Sequence, residues 1–201
     1  MTLVAAFASP NFAVMVADRR RSQLETGVQI DDVKKIYQVN NNVMVGFSGV
    51  YLPDGLGNFR GMAEKIINDC SFLIHDDMSV ESIINVFRRH IITLLDDGIS
   101  KDQLEVTYHI AGLLQDGHFG LGRISCFEDF EPVITKPPEA GITWGLSRAV
   151  YAPSMWLESR IASLGEMTLG NVQKLAVELV EHTAQRDSYI SDTYDMLTLS
   201  F

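Results

Sequence analysis

Cysteine is scarce in this chain of 201 residues: Cys70 and Cys126 stand alone, far apart and without CxxC spacing. That pattern gives neither a disulfide framework nor a zinc knuckle, and a reducing cytoplasm is the simpler home. Long apolar runs are missing too. None approaches the ~20 residues needed to span a bilayer, and Pro10, Asn11 and Asp18 interrupt the apolar amino terminus, so neither a membrane span nor a secretory leader is expected. Positive charge is in short supply, with 16 Lys+Arg against 26 Asp+Glu, a net charge of -10 and no basic run longer than Arg19-Arg20-Arg21. Nucleic acid is therefore not expected as a partner. The five histidines show no HxxxH or HExxH spacing, and Gly55-x-Gly57 followed by Gly61 fits no phosphate-loop signature, so neither a metal nor a cofactor is expected.

What remains is a globular composition. Hydrophobic residues make up 46% and charged residues 21%, which argues against disorder and against a fibre. The length suits a single domain over residues 1–201 with a sizeable core. Thr2–Ala8 and Phe12–Ala17 read as two strands of a hairpin turning at Ser9-Pro10-Asn11. Both are apolar at nearly every position, so both faces of their sheet are expected to be covered. The polar segment Ser22–Ile30 breaks regularity before strands at Lys35–Val39 and Val43–Phe47, joined by a turn at Asn40-Asn41-Asn42.

Helical spacing then takes over. Met62–Ile74 repeats apolar residues at Met62, Ile66, Ile67 and Cys70, and a second helix runs from the N-cap Ser79 to Gly98. Leu104–Leu114 and Phe119–Phe127 return to strand composition around the hairpin signal Asp116-Gly117. Pro132, Pro137 and Pro138 mark a loop, Ser147–Leu164 and Thr168–Gln185 read as helices, and Tyr194–Phe201 as a last strand. Two helical pairs covering doubly buried sheets predict an α+β fold, a four-layer αββα sandwich. His109 reads as a satisfied strand histidine, and the group Trp144, Tyr151 and Trp156 as core or subunit contact.

The chemistry concentrates in Thr2–Gly49. A threonine freed of Met1 carries a hydroxyl nucleophile and its own base, the α-amine, on one residue. Behind it come Asp18 in Ala17-Asp18-Arg19-Arg20, Lys34-Lys35 in Val33-Lys34-Lys35-Ile36, and the turn Gly46-Phe47-Ser48-Gly49. Strand alternation lets only one of the two lysines face inward.

This succession resembles the β-subunits of proteasomes and the related bacterial heat-shock peptidase, members of the N-terminal nucleophile hydrolases. The Thr-to-Asp interval agrees with that family, and the Asp-to-Lys interval needs a single inserted residue. The resemblance implies peptide-bond hydrolysis through an acyl-enzyme on Thr2, with Lys35 as the inward lysine, Asp18 orienting it and the Gly49 N–H as oxyanion donor. It further implies that Phe47 and Tyr51 line a shallow specificity pocket for a peptide or unfolded-protein substrate, and that copies assemble into a homo-oligomeric ring fed by an ATPase unfoldase.

The family's two supporting turns have only approximate counterparts, Gly145-Leu146-Ser147 and Asp187-Ser188-Tyr189-Ile190-Ser191-Asp192. Serine is displaced by one position in each, and the family's Gly-Gly pair is absent. Ser147, Asp187 and Ser191 are carried as supporting residues on that basis, Ser147 reading otherwise as a helix N-cap and Asp187 as a helix-end turn residue. Two other functions fit the same residues: an inactive scaffold subunit of a proteasome-like ring, and an amidohydrolase for small molecules. No long extension precedes Thr2, which disfavours the inert α-type subunit.

Overall fold

The computed structural model describes residues 2–22, 29–49, 61–147 and 151–201. The strands β1 (Val4–Ser9) and β2 (Phe12–Asp18) form the expected hairpin, with Ser9 opposite Phe12 and the Ser9 hydroxyl accepting from the Asn11 N–H at 3.2 Å. A two-residue ribbon follows, β3 (Arg21–Ser22) against β4 (Gln29–Ile30), at the two ends of the polar segment Ser22–Ile30. Next are β5 (Ile36–Gln38), β6 (Val43–Gly49), α1 (Met62–Ser71) and α2 (Val80–Asp96). The chain continues through β7 (Val106–Leu113), β8 (Phe119–Ser125), β9 (Val133–Thr135), β10 (Thr143–Leu146), α3 (Ser154–Ala162), α4 (Leu169–Ala184) and β11 (Tyr194–Ser200).

Local chemistry accounts for most boundaries. Ser79 caps α2 by accepting from the Ser82 N–H, and Thr168 caps α4 by accepting from Asn171. The β7–β8 loop closes because Gly117 takes φ +85°, where a side chain is strained, while the Leu114 N–H donates to the His118 carbonyl at 2.8 Å. Lys101–Leu104, whose end was read as strand, is instead a 3-10 turn with a reciprocal Ser100–Gln103 cap.

All paired strands are antiparallel, and they form two main sheets. One has the order β10-β1-β2-β11, the other β5-β6-β7-β8-β9. Alternation along β1 explains the stacking. Leu3, Ala5 and Phe7 pack with Leu157, Leu175 and Leu179 of α3 and α4, whereas Val4, Ala6 and Ala8 meet Ile36, Met44 and Ala111 of the opposite sheet. On the far side, Val43, Val45, Tyr108 and Ile110 pack under Ile66, Ile83 and Phe87 of α1 and α2. The four-layer αββα sandwich of the sequence reading is the observed α+β architecture. Full burial of one Leu or Phe side chain contributes about 1.5–3 kcal/mol, so the three apolar layers dominate the cohesion of the fold.

The layer between the sheets mixes small side chains with larger ones such as Met15, Met44 and Phe119. Ala6, Ala8, Ala13 and Ala17 lie in it, and a Cβ placed on Gly46 would come within 2.8 to 2.9 Å of Met15, Ile36 and Val4. Among the described residues no helix is long and apolar enough to cross a membrane.

Two expectations need correction. The proline-marked loop contains β9 and β10, and β10 pairs with β1 from Ala5↔Leu146 to Ala8↔Thr143. The helix expected from Ser147 starts at Ser154, after Pro153, so Ser147 is not its N-cap. Proline cannot supply an amide donor but fits a helix start, which places the boundary at Pro153.

Candidate active site

The β1–β2 register sets two charged groups beside the amino-terminal strand. Asp18 ends β2, and its N–H donates to the Leu3 carbonyl at 3.1 Å while the Leu3 N–H donates back to Asp18 Oδ1 at 2.9 Å. Thr2 thus precedes a residue bonded twice to Asp18, and it is itself buried. Lys35 enters from the start of β5, where its carbonyl accepts from the Phe47 N–H at 3.1 Å. Its Nζ donates to Asp18 Oδ1 at 2.7 Å and to the Arg20 carbonyl at 2.5 Å.

Burial of this pair is nearly complete, with Asp18 at 0% and Lys35 at 2% exposure. An uncompensated charge at such depth is costly, so the surrounding donors matter. Asp18 accepts four hydrogen bonds: Leu3 N–H and Lys35 Nζ at Oδ1, Arg20 N–H (2.9 Å) and Ser191 N–H (3.3 Å) at Oδ2. Burial pushes the Lys35 ammonium below the usual lysine range, and Asp18 pulls in the opposite direction. Lys34, its neighbour, faces outward over the Tyr37 ring at 4.9 Å.

The other flank of the strand is held by neutral groups. Ser147 Oγ accepts from the Val4 N–H at 2.7 Å and lies 3.0 Å from the Thr2 carbonyl as donor, with the Val4 carbonyl at 3.2 Å. The Ser147 N–H donates to the Val4 carbonyl at 2.9 Å. Ser191 closes on Asp18 through its backbone, while its hydroxyl accepts from the Thr193 N–H. Asp187 stands one step further out: its carboxylate accepts from Tyr189 and Tyr151 N–H groups at 3.0 and 3.2 Å.

The structure therefore brings Thr2, Asp18, Lys35, Ser147 and Ser191 around one strand end, with Asp187 shaping the adjoining loop. Gly49 terminates β6 at φ +155°, and a Cβ there would lie 2.2 Å from the Glu105 carbonyl oxygen. The neighbouring strand by itself thus requires glycine at that position. Phe47 is buried in the layer under α1 and α2. Tyr51 lies outside the described residues.

Sequence reasoning missed the part played by Arg20, whose N–H and carbonyl touch Asp18 and Lys35 respectively. The available signal was its place two residues after Asp18, within reach of the same carboxylate. His109, read as a satisfied strand histidine, needs correction: among the described residues its buried Nε2 has no hydrogen-bond partner. Burial holds its pKa down at about 4, with Arg123 adding to the effect. Trp156 stacks on His182 at 4.3 Å and Tyr151 bonds the same imidazole at 3.0 Å, a packing contact between α3 and α4. Among the described residues no group of three or more His, Cys, Asp or Glu side chains is arranged to hold a metal ion.

The site is thus a buried carboxylate–ammonium pair beside the first strand, within stacked antiparallel sheets flanked by helices. Residues 2–119, more than half of the chain, match the family model described as Proteasome subunit, and the chain belongs to that family. The matched span holds Thr2, Asp18, Lys35 and Gly49; Ser147, Asp187 and Ser191 lie beyond it. Comparison with individually curated proteins gives no match.

Proposed function

We propose that this subunit is a threonine peptidase whose nucleophile is Thr2, acting once Met1 has been removed. The single observation that carries the reading is the buried Lys35–Asp18 pair hydrogen-bonded to the residue that follows Thr2. The α-amine of Thr2, with an ordinary pKa of about 7.7–8.0, takes the hydroxyl proton as Oγ1 attacks the substrate carbonyl. The Lys35 ammonium favours the deprotonated forms of both groups, and Asp18 fixes where that ammonium sits. The Gly49 N–H receives the developing oxyanion. Return of the proton to the leaving amine gives an ester on Thr2, and water then hydrolyses it.

In this reading the whole chain, residues 1–201, works as one domain within a homo-oligomeric cytoplasmic ring. The ring takes peptides or unfolded chains delivered by an ATPase unfoldase, and Phe47 and Tyr51 keep the specificity pocket shallow.

The decisive experiment combines intact mass with active-site labelling. Protein from its native host is expected to lack one methionine and to be modified at Thr2 by an epoxyketone or β-lactone, with Thr2→Ala neither labelled nor active on fluorogenic peptides. Retention of Met1 together with no labelling would replace the peptidase by a non-catalytic ring subunit. Labelling without cleavage of any member of a peptide library would replace it by an amidohydrolase for small molecules.

A further inference from the structure

The loop after α4 supplies one of the four hydrogen bonds that the Asp18 carboxylate receives, and it does so from its main chain. The donor is the Ser191 N–H at 3.3 Å. The carbonyl of that same peptide unit belongs to Ile190, and it accepts from the Arg20 guanidinium at 3.4 Å. Arg20 Nη1 also donates to the Ser188 carbonyl at 2.8 Å. One guanidinium thus holds the peptide by its oxygen while Asp18 takes its hydrogen.

Asp31 aims that guanidinium. Its two oxygens accept from Arg20 Nε at 2.6 Å and Nη2 at 2.7 Å, a fork-to-fork pairing that fixes the guanidinium plane and leaves Nη1 pointing at the loop. The Arg20 main chain is meanwhile locked into the site, its N–H on Asp18 and its carbonyl on Lys35. Gln29 adds a weaker contact to the Ser188 carbonyl at 3.3 Å.

We infer that Asp31 and Arg20 form a positioning clasp, outside the reacting groups, that orients the Ile190–Ser191 peptide toward Asp18 and so fixes the Lys35 ammonium. The catalytic half of this inference rests on the peptidase reading above; the structural half does not. The Asp31 carboxylate is about half exposed, and the Arg20 guanidinium it leaves behind is 21% exposed and still faces the Ser188 and Ile190 carbonyls, so the fold should survive its loss. Without it the guanidinium is free to swing, the peptide loses its anchor at oxygen, and Asp18 keeps three donors instead of four.

The test is Asp31→Ala, with Asp31→Glu as the conservative rescue and Asp32→Asn as the neighbouring control. Hydrogen exchange, read on the peptide containing residues 187–193, needs no activity. Asp31→Ala should exchange about tenfold faster there, with Asp31→Glu and Asp32→Asn close to wild type. In steady-state peptide hydrolysis kcat should fall about ten- to hundredfold with KM unchanged, because misplacement affects the reacting geometry and not substrate contact.

Unchanged exchange in Asp31→Ala overturns the clasp, whatever the kinetics. Faster exchange with unchanged kcat overturns its positioning role. A wild-type protein with no Thr2-dependent hydrolysis removes the peptidase reading and with it the catalytic half of the inference, while exchange still decides whether the clasp holds the loop.

Discussion

The two flanks of the amino-terminal strand are built from different materials. On one side stand full charges, Asp18 and Lys35, separated by 2.7 Å and sealed from water. On the other stand a hydroxyl and main-chain groups, from Ser147 and its neighbours on β10. The charged flank comes from residues close in sequence, anchored by the β1–β2 hairpin and the first strand of the opposite sheet. The neutral flank arrives from more than a hundred residues away and touches Thr2 and Val4 through ordinary hydrogen bonds. Charge placed in a dry interior is sensitive to every donor around it, whereas a neutral hydrogen bond exchanges for water at modest net cost. The division predicts that damage to the first flank is severe and damage to the second is graded.

The largest effect should come from Lys35→Met. It strands a buried carboxylate, which costs about 3–5 kcal/mol when one partner of such a pair is removed. Urea unfolding should show that loss, and peptide hydrolysis should drop to the level of Thr2→Ala. A stability within 1 kcal/mol of wild type would mean the two flanks do not differ as described.

His109 tests the inter-sheet layer on which both flanks rest. Its folded pKa of about 4 lies below the ordinary value of 6.5, so the fold accepts the neutral imidazole. Stability from this group is therefore whole above pH 6.5 and lost as the pH falls toward 4, by about 3 kcal/mol in all. His109→Leu should shift the acid-unfolding midpoint, followed by circular dichroism, to lower pH.

Ser147→Ala comes next. It leaves the buried Val4 N–H without its 2.7 Å partner, a loss of about 1–3 kcal/mol, with activity reduced but still measurable above Thr2→Ala. The smallest effect belongs to the surface. Arg19 pairs with Asp32, whose side chain is 83% exposed, and Asp32→Asn should change the thermal midpoint by less than the equivalent of about 0.5 kcal/mol.

The same division explains what could be read from residues alone. The apolar hairpin, both helical pairs and the αββα layering follow from periodicity and caps, because local spacing determines them. Asp18 and the lysine pair stand out as charges beside apolar strands, but it is the family resemblance that singles out Asp18 and Lys35; alternation by itself narrows the lysine only to one of two, and burial at 2% identifies Lys35 as the inward one. β10 escaped notice since its four residues, Thr143–Leu146, carry too short a pattern after a run of prolines, and only pairing with β1 makes them a strand. Ser147 was carried as a supporting residue on the resemblance alone, because its hydrogen-bond partners, Val4 and Thr2, are 143 and 145 residues distant and leave no local pattern; only its alternative reading as a cap fails. The grip of Arg20 on Ser188 spans 168 residues and leaves no trace in any local pattern.

Gly46 faces the layer between the two sheets, opposite Ile36, which is one residue beyond Lys35. A single added methyl at that point acts as a wedge. It would have to push against Met15 and Val4 on one sheet and Ile36 on its own, displacing the strand that delivers the ammonium to the Asp18 carboxylate. The spacing of the buried Asp18–Lys35 pair is thus governed by an atom that the chain omits, at a position with no chemistry of its own.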